Sequence, residues 1–142
     1  MLSFETIENN QAVNYHEFKP ALIVITKVED VDNLHNKLQG AFHGEDRLRR
    51  LDYNHFFALL VLHGLVGSSG YNITVHSISR QDERVNVRAE FVRPKPNTLL
   101  LQGDASPFHL VVIPKADLAG HTIRFVLLND DKSVAETTHA VP

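Results

Sequence analysis

The chain has no cysteine, no tryptophan and a single methionine in 142 residues. Without cysteine there is no disulfide framework, no thiol nucleophile and no Cys-ligated zinc or iron–sulfur centre. Long apolar runs are missing too: the longest extends from Phe56 to Leu62, far short of the ~20 residues with which a helix crosses a bilayer. Charge of one sign is also lacking. The 14 Lys and Arg are offset by 17 Asp and Glu, and apart from Arg47, Arg49 and Arg50 the cations are scattered. This is not the basic stripe that a phosphate backbone demands, so no nucleic-acid partner is expected. The first ten residues carry neither a basic segment nor the apolar stretch of a secretory signal. The expectation for the chain as written is a cytoplasmic protein, export requiring a segment upstream.

What is present suits one globular domain over residues 1–142, with 43% apolar residues and no repeat or low-complexity tract. Leu22 to Ile25, after Pro20, reads as a strand. Thr26-Lys-Val-Glu29 has capping-box spacing, and Val28, Val31, Leu34 and Leu38 recur at three- or four-residue steps. That pattern predicts a long amphipathic helix closed at Gly40 and packed on a flat layer. Residues 40–52 are polar and read as a loop or irregular helix. Phe56 to Leu62 is apolar on both parities, as in a strand covered on both faces.

Two alternating segments follow, Tyr71 to His76 and Val85 to Phe91, joined by a polar turn and stopped at Pro94-Lys-Pro96. Strands are further predicted over Phe108 to Ile113 and Thr122 to Leu128, with a polar tail that either frays or adds an edge. The expected fold is therefore α+β: a mostly antiparallel sheet or sandwich of about five to seven strands, with one long helix packed on a face.

The order of these features resembles the PrcB family, named for a small non-catalytic subunit that binds and stabilises a protease complex. The resemblance covers about residues 20–115. It is carried by the capped helix, the Leu51-Asp52 lead into the apolar strand, the turn Gly67-Ser68-Ser69-Gly70-Tyr71, the stop at Pro94 to Pro96, and Ser106-Pro107-Phe108 opening the strand that ends Ile113-Pro114-Lys115. Ser69 stands where the family has the first of two glycines. The resemblance implies a protein-interaction module whose partner is another protein, such as a protease or its complex. It implies no catalysis and no cofactor, and a homo-oligomer is compatible with it.

Residue chemistry offers three sites. The first is a docking surface formed by Asn72, Thr74, His76, Asn86, Arg88 and Glu90 on the wet face of the two alternating strands, together with the Gly67 to Tyr71 turn. The plainer reading of those residues is the solvated side of a sheet. The second is a small-ligand or metal site built from His63, Tyr71 and His76. Nine His residues make a metal site worth considering, but His35, His63, His76, His109 and His121 show no ligand spacing, so no metal is expected. The third is a hydrolase using Ser68 or Ser69 near His63, although no nucleophile elbow surrounds either serine. Asp104, Asp117, Asp130 and Asp131 lie in turns and read as solvated acids.

Overall fold

The computed structural model describes residues 1–11 and 15–142, the side chain of Asp117 lying outside the described set. The described residues form ten strands: β1 (Glu5–Asn10), β2 (Ala21–Ile25), β3 (Phe56–Leu62), β4 (Val66–Ser68), β5 (Asn72–Gln81), β6 (Arg84–Val92), β7 (Gln102–Ala105), β8 (Phe108–Pro114), β9 (Thr122–Asn129) and β10 (Lys132–Ala140). Two short helices, α1 (Val28–Lys37) and α2 (Glu45–Arg49), interrupt them.

The α+β expectation is thereby corrected. Half of the chain is strand and 12% is helix: three sheets of ten strands stand in place of a sheet or sandwich of about five to seven, and among the described residues no long helix packs on a face. One sheet runs β1-β8-β3-β2, entirely antiparallel, and a second runs β10-β9-β6-β5 with β6 and β9 parallel. A two-stranded ribbon pairs β4 with β7.

The helix is short because its start lacks the expected box. The cap position is Lys27, which makes no side-chain cap bond. The acid that reaches back to Thr26 is Asp30, one residue beyond Glu29: its carboxylate accepts both the backbone N–H and the hydroxyl of Thr26, at 2.9 and 3.2 Å. At the other end Gln39, at φ 58°, takes the left-handed position that Gly40 was expected to supply. Gly40 N–H donates to His35 O and Gln39 N–H to Asn36 O, which is the Schellman pattern. Val31, Leu34 and Leu38 are buried, while Val28 in the first turn is exposed.

The strand pleat divides the apolar residues between two cores. Leu22, Val24, Phe57, Leu59, Val61, Val111 and Ile113 point between the sheets, where they meet Ile73, Val75, Val85, Val87, Ile123, Phe125 and Leu127. Phe57 and Phe125 stack edge-to-face across the sandwich with ring centroids 5.9 Å apart. Residues of opposite parity, Ile25, Ala58, Leu60, Leu62, Phe108 and Leu110, form a second core under Val31, Leu34 and Leu38 of the α1 region and Leu48 of α2. The β1-β8-β3-β2 sheet is thus the covered sheet. The β10-β9-β6-β5 sheet leaves its far face to water and is the open sheet.

Both seams between the sheets are bridged. At one, Leu2 N–H donates to Ile78 O at 2.7 Å, ahead of β1. At the other, Thr26 Oγ1 and His139 Nε2 of β10 lie 3.2 Å apart.

Candidate functional site

The polar face predicted from the alternating segments is the outer face of the open sheet. Thr74 pairs opposite Glu90, and Asn86 opposite Ser79. The ladder shifts between Val75 and Ser77, so His76 is the extra residue of a β-bulge. A bulge lets two residues oppose one and re-aims the strand. As a result both His76 and Ser77 escape the core, and Ile78 returns to it. Without the bulge, alternation from His76 onward would have placed Ser77 inside.

On the neighbouring strand, β9 runs parallel to β6 only as far as the pair Arg88 and Leu128. It then turns back through Asp130 and Asp131, both at positive φ (50° and 64°), into β10. That geometry is the type I′ hairpin, which acidic and amide residues tolerate best after glycine. Beyond Arg88, among the described residues, no strand pairs with β6 on its β9 side. The notch is a cleft of about 500 Å³ bounded by His76, Ser77, Arg88, Glu90, Leu128 and Asp131. Arg88 hydrogen-bonds to Asp131 across it. His76 Nε2 approaches Glu90 Oε2 at 3.5 Å. Leu128 and, further along, Val126 are buried although they stand on the wet face. Beside Val126, its cross-strand neighbour Glu136 is held by Arg124, which stands opposite Thr138 and reaches diagonally to place its Nη2 2.7 Å from Oε2.

Five of the predicted docking residues, Thr74, His76, Asn86, Arg88 and Glu90, therefore share this face. Asn72 does not contribute freely to it, because its Oδ1 accepts the N–H of Ile73 at 2.8 Å. Gly67, Ser68, Ser69, Gly70 and Tyr71 lie elsewhere, in the ribbon and the bend that follows it. The sequence reading missed Asp130 and Asp131, treated as solvated acids. Two acids set between alternating segments are a hairpin signal, and that signal could have placed them at the cleft.

The His63, Tyr71 and His76 grouping is not assembled. His63 packs against Tyr71 at 5.7 Å and Phe91 at 5.2 Å between ring centroids, whereas His76 pairs with Glu90 on the wet face. Burial pushes the His63 imidazole below its ordinary value, and its Nδ1 is buried without a hydrogen-bond partner. Among the described residues no three His, Asp or Glu side chains converge on a point where a metal ion would sit. Both candidate serine hydroxyls are engaged by backbone groups. Ser68 Oγ donates to Ser69 O at 3.2 Å, and Ser69 Oγ accepts the N–H of Leu101 at 2.9 Å. Arg47 donates to Ile7 O, and Arg49 is paired with Asp32 and Glu45, so the arginine segment is tied into the helical roof.

The histidine that matters most to the architecture is His109. It is buried between the sheets on β8. Its Nδ1 accepts the N–H of Val75 at 2.9 Å and its Nε2 lies 2.8 Å from Thr6 Oγ1. An Nδ1 that accepts from a backbone amide leaves the proton on Nε2, which then donates to the threonine. Burial holds the imidazole below its ordinary value. Gln11 adds a bond from Nε2 to Tyr71 O at 2.6 Å. With the Asn9 amide nitrogen turned toward Ile73 O, at 3.2 Å, three side chains cap the outward backbone groups of Tyr71, just ahead of β5, and of Ile73 and Val75 within it. They occupy the place of a neighbouring strand and seal that edge.

Comparison of the chain with protein-family models, with curated proteins and with solved structures finds no match.

Proposed function

We propose that the protein is a non-catalytic interaction module that docks another protein on the outer face of the open sheet. The observation that carries this reading is the notch beside β6, where the strand loses its β9 neighbour and Arg88, Glu90, His76 and Asp131 gather over Leu128. A mixed-charge rim over an apolar floor is the anatomy of a protein-docking patch, and a strand edge inside it offers main-chain hydrogen bonds to an extended partner segment. The β5 edge is covered over residues 71–75 by His109, Asn9 and Gln11, whereas the backbone of β6 beyond Arg88 stands unpaired on the notch side among the described residues. The resemblance to the PrcB family supports the same class of function, with a protease or its complex as the partner.

The test compares two triple variants as bait in native lysate. One removes the face (His76→Ala, Arg88→Ala, Glu90→Ala) and the other alters the exposed side of α1 (Asn33→Ala, Asn36→Ala, Lys37→Ala). The reading expects a protein retained by the native chain and by the helix variant and lost by the face variant. Equal recovery by all three baits, or loss by the helix variant alone, contradicts it.

A further inference from the structure

Over residues 71–75 the outward edge of β5 meets the N-terminal segment and β8 through side chains. Gln11 Nε2 donates to Tyr71 O at 2.6 Å, the turned Asn9 amide donates to Ile73 O at 3.2 Å, and Val75 N–H donates at 2.9 Å to Nδ1 of His109, a β8 residue that is 3% exposed. The histidine is itself tied to the N-terminal segment, its Nε2 lying 2.8 Å from Thr6 Oγ1. These fastenings differ in their access to water. Thr6 and Asn9 are exposed and Gln11 is half-buried, so water competes for their bonds, whereas the bond from Val75 to His109 is buried at both ends. One buried bond, made to a group that titrates, holds this edge shut.

We propose that His109 is an acid-operated latch, which on taking a proton at Nδ1 parts the β5 edge from residues 2–11 while the two sheets stay folded. In the neutral ring Nδ1 is the acceptor and Nε2 carries the proton. A proton added at Nδ1 sets two N–H donors head to head, 2.9 Å apart, and leaves the Val75 amide unpaired in a dry seam. Separation lets water reach both. The Thr6 link survives, because Nε2 remains a donor in the cation. The β1–β8 ladder survives too and keeps the N-terminal segment on the covered sheet, as the β5–β6 ladder keeps β5 on the open one. What opens is the line between them, and Tyr71 O, Ile73 O and Val75 N–H become an unsealed strand edge.

Among the described residues no carboxylate is placed to offset this charge. The two acids of β1 face the roofed side of the covered sheet: Glu5 lines a groove with Phe56 and Val112, and Glu8 Cβ lies 3.7 Å from where a Cβ on Gly44 would stand. On β3 the residue opposite His109 is Val61, and the titratable group just beyond that strand is His63, packed on Tyr71 and Phe91. His76 of β5 and Arg88 and Glu90 of β6 stand on the wet face, while Arg80 lies at the far end of β5 with its Nε donating to Asp82 O. His109 is the one titratable residue of β8. Burial is accordingly what holds its imidazole below the ordinary value. Opening the seam removes that burial, so the open form takes the proton more readily than the closed one and acid shifts the balance toward opening.

The test follows the full chain by NMR at pH 7.5 and pH 5.5, reading the ring nitrogens of His109 and the amide exchange of each residue, corrected for the intrinsic effect of pH. At the higher pH the ring is expected to be neutral with its proton on Nε2. On acidification, a single proton taken up at the ordinary histidine value by the open form should raise the opening of the Val75 amide by about tenfold. Leu60 and Val111, in the central strands of the covered sheet, should open no more than before. His109→Gln, whose side-chain oxygen accepts the Val75 N–H at either pH, should abolish the difference at Val75. If that variant does not fold, the native chain still decides, through the ring tautomer and the contrast between Val75 and the two covered residues. Val75 opening that is the same at both pH values overturns the proposal, as does a neutral ring with its proton on Nδ1. So does an equal rise at Leu60 and Val111, which would make the event global unfolding.

Discussion

The covered and open sheets each contain four strands and share one core, yet they meet water differently. In the covered sheet β3 is buried from Phe57 to Leu62, because α1 and α2 lie over the parity that the sandwich does not use. In the open sheet the second parity of β5 and β6 is Thr74, Ser79, Asn86, Arg88 and Glu90. A layer sealed on both faces stores stability and offers few groups to a partner. A layer wet on one face has polar groups to spend on recognition. The notch, the Arg88–Asp131 pair and the bulge at His76 all occur on the second layer, where a change in shape does not open a core.

That contrast is most easily broken from the covered side. Phe57→Ala should destabilise by about 3–5 kcal/mol, since a fully buried ring that stacks on Phe125 leaves a cavity between the sheets. Chemical denaturation would show it as a lower midpoint with little change in slope. A loss below 1 kcal/mol would mean that the sheets are not packed as described.

The next largest effect is expected at the sealed edge. His109→Ala removes the acceptor of Val75 N–H and the partner of Thr6, at a cost of about 2–3 kcal/mol. His109 also sets a pH dependence with a definite sign. Its folded value lies below its ordinary one, so between the two the unfolded chain binds more protons and stability rises with pH. The contribution is complete above the unfolded value and is lost as pH falls through the folded one. His63, depressed by burial as well, acts in the same direction. Denaturant midpoints should therefore fall from pH 7.5 to pH 5.5, and His109→Gln should flatten that fall. A midpoint that rises on acidification would contradict the assignment of a buried neutral imidazole. Glu45 and Asp52 titrate in a lower window. Burial raises Glu45, but hydrogen bonds from His35 and Arg49 together hold it below the usual carboxylate range, and the His55 hydrogen bond lowers Asp52.

A smaller cost should appear at the ribbon. Gly70→Ala forces a Cβ into a left-handed conformation and against Pro94, about 1–2 kcal/mol in all. Faster amide exchange over residues 94–101 would check that the strain is local, and protection unchanged there would count against this segment being held by the Gly70 turn. The smallest effect belongs to the open face. Arg88→Ala should move stability by no more than about 0.5 kcal/mol in thermal melts, while abolishing partner capture if the notch is the docking place.

Much of this layout was legible in the residues. The two-sided burial of β3 follows from a run without parity, and the β5–β6 pair follows from clean alternation. The stop at Pro94 follows from a residue with no N–H to give to a ladder. The helix was overestimated because the Thr26 to Glu29 spacing imitates a capping box, while the bond actually made runs from Thr26 to Asp30. β1 has only Ile7 pointing into a core, and β7, Gln102 to Ala105, holds no large apolar side chain. Such strands exist because a neighbour is there to pair with them, and no local pattern announces that. The same holds for His109: its partners Thr6 and Val75 are 103 and 34 residues away, and only the closed sandwich brings them together. Of the docking face, the alternation identified five residues. The bulge that re-aims His76 breaks the alternation inside the β5–β6 hairpin, and the acidic hairpin closes the cleft only through the parallel pairing of β6 with β9, which joins segments remote in sequence.

The most direct test of docking on the open sheet is site-specific photo-crosslinking in cells. One chain carries the crosslinker at His76 in the notch, and another carries it at Asn36 on the exposed side of α1. The account predicts a discrete protein adduct from the His76 chain that disappears when Arg88 and Glu90 are both changed to Ala, and no such adduct from Asn36. The same adduct from both positions, or an adduct from Asn36 alone, would contradict it.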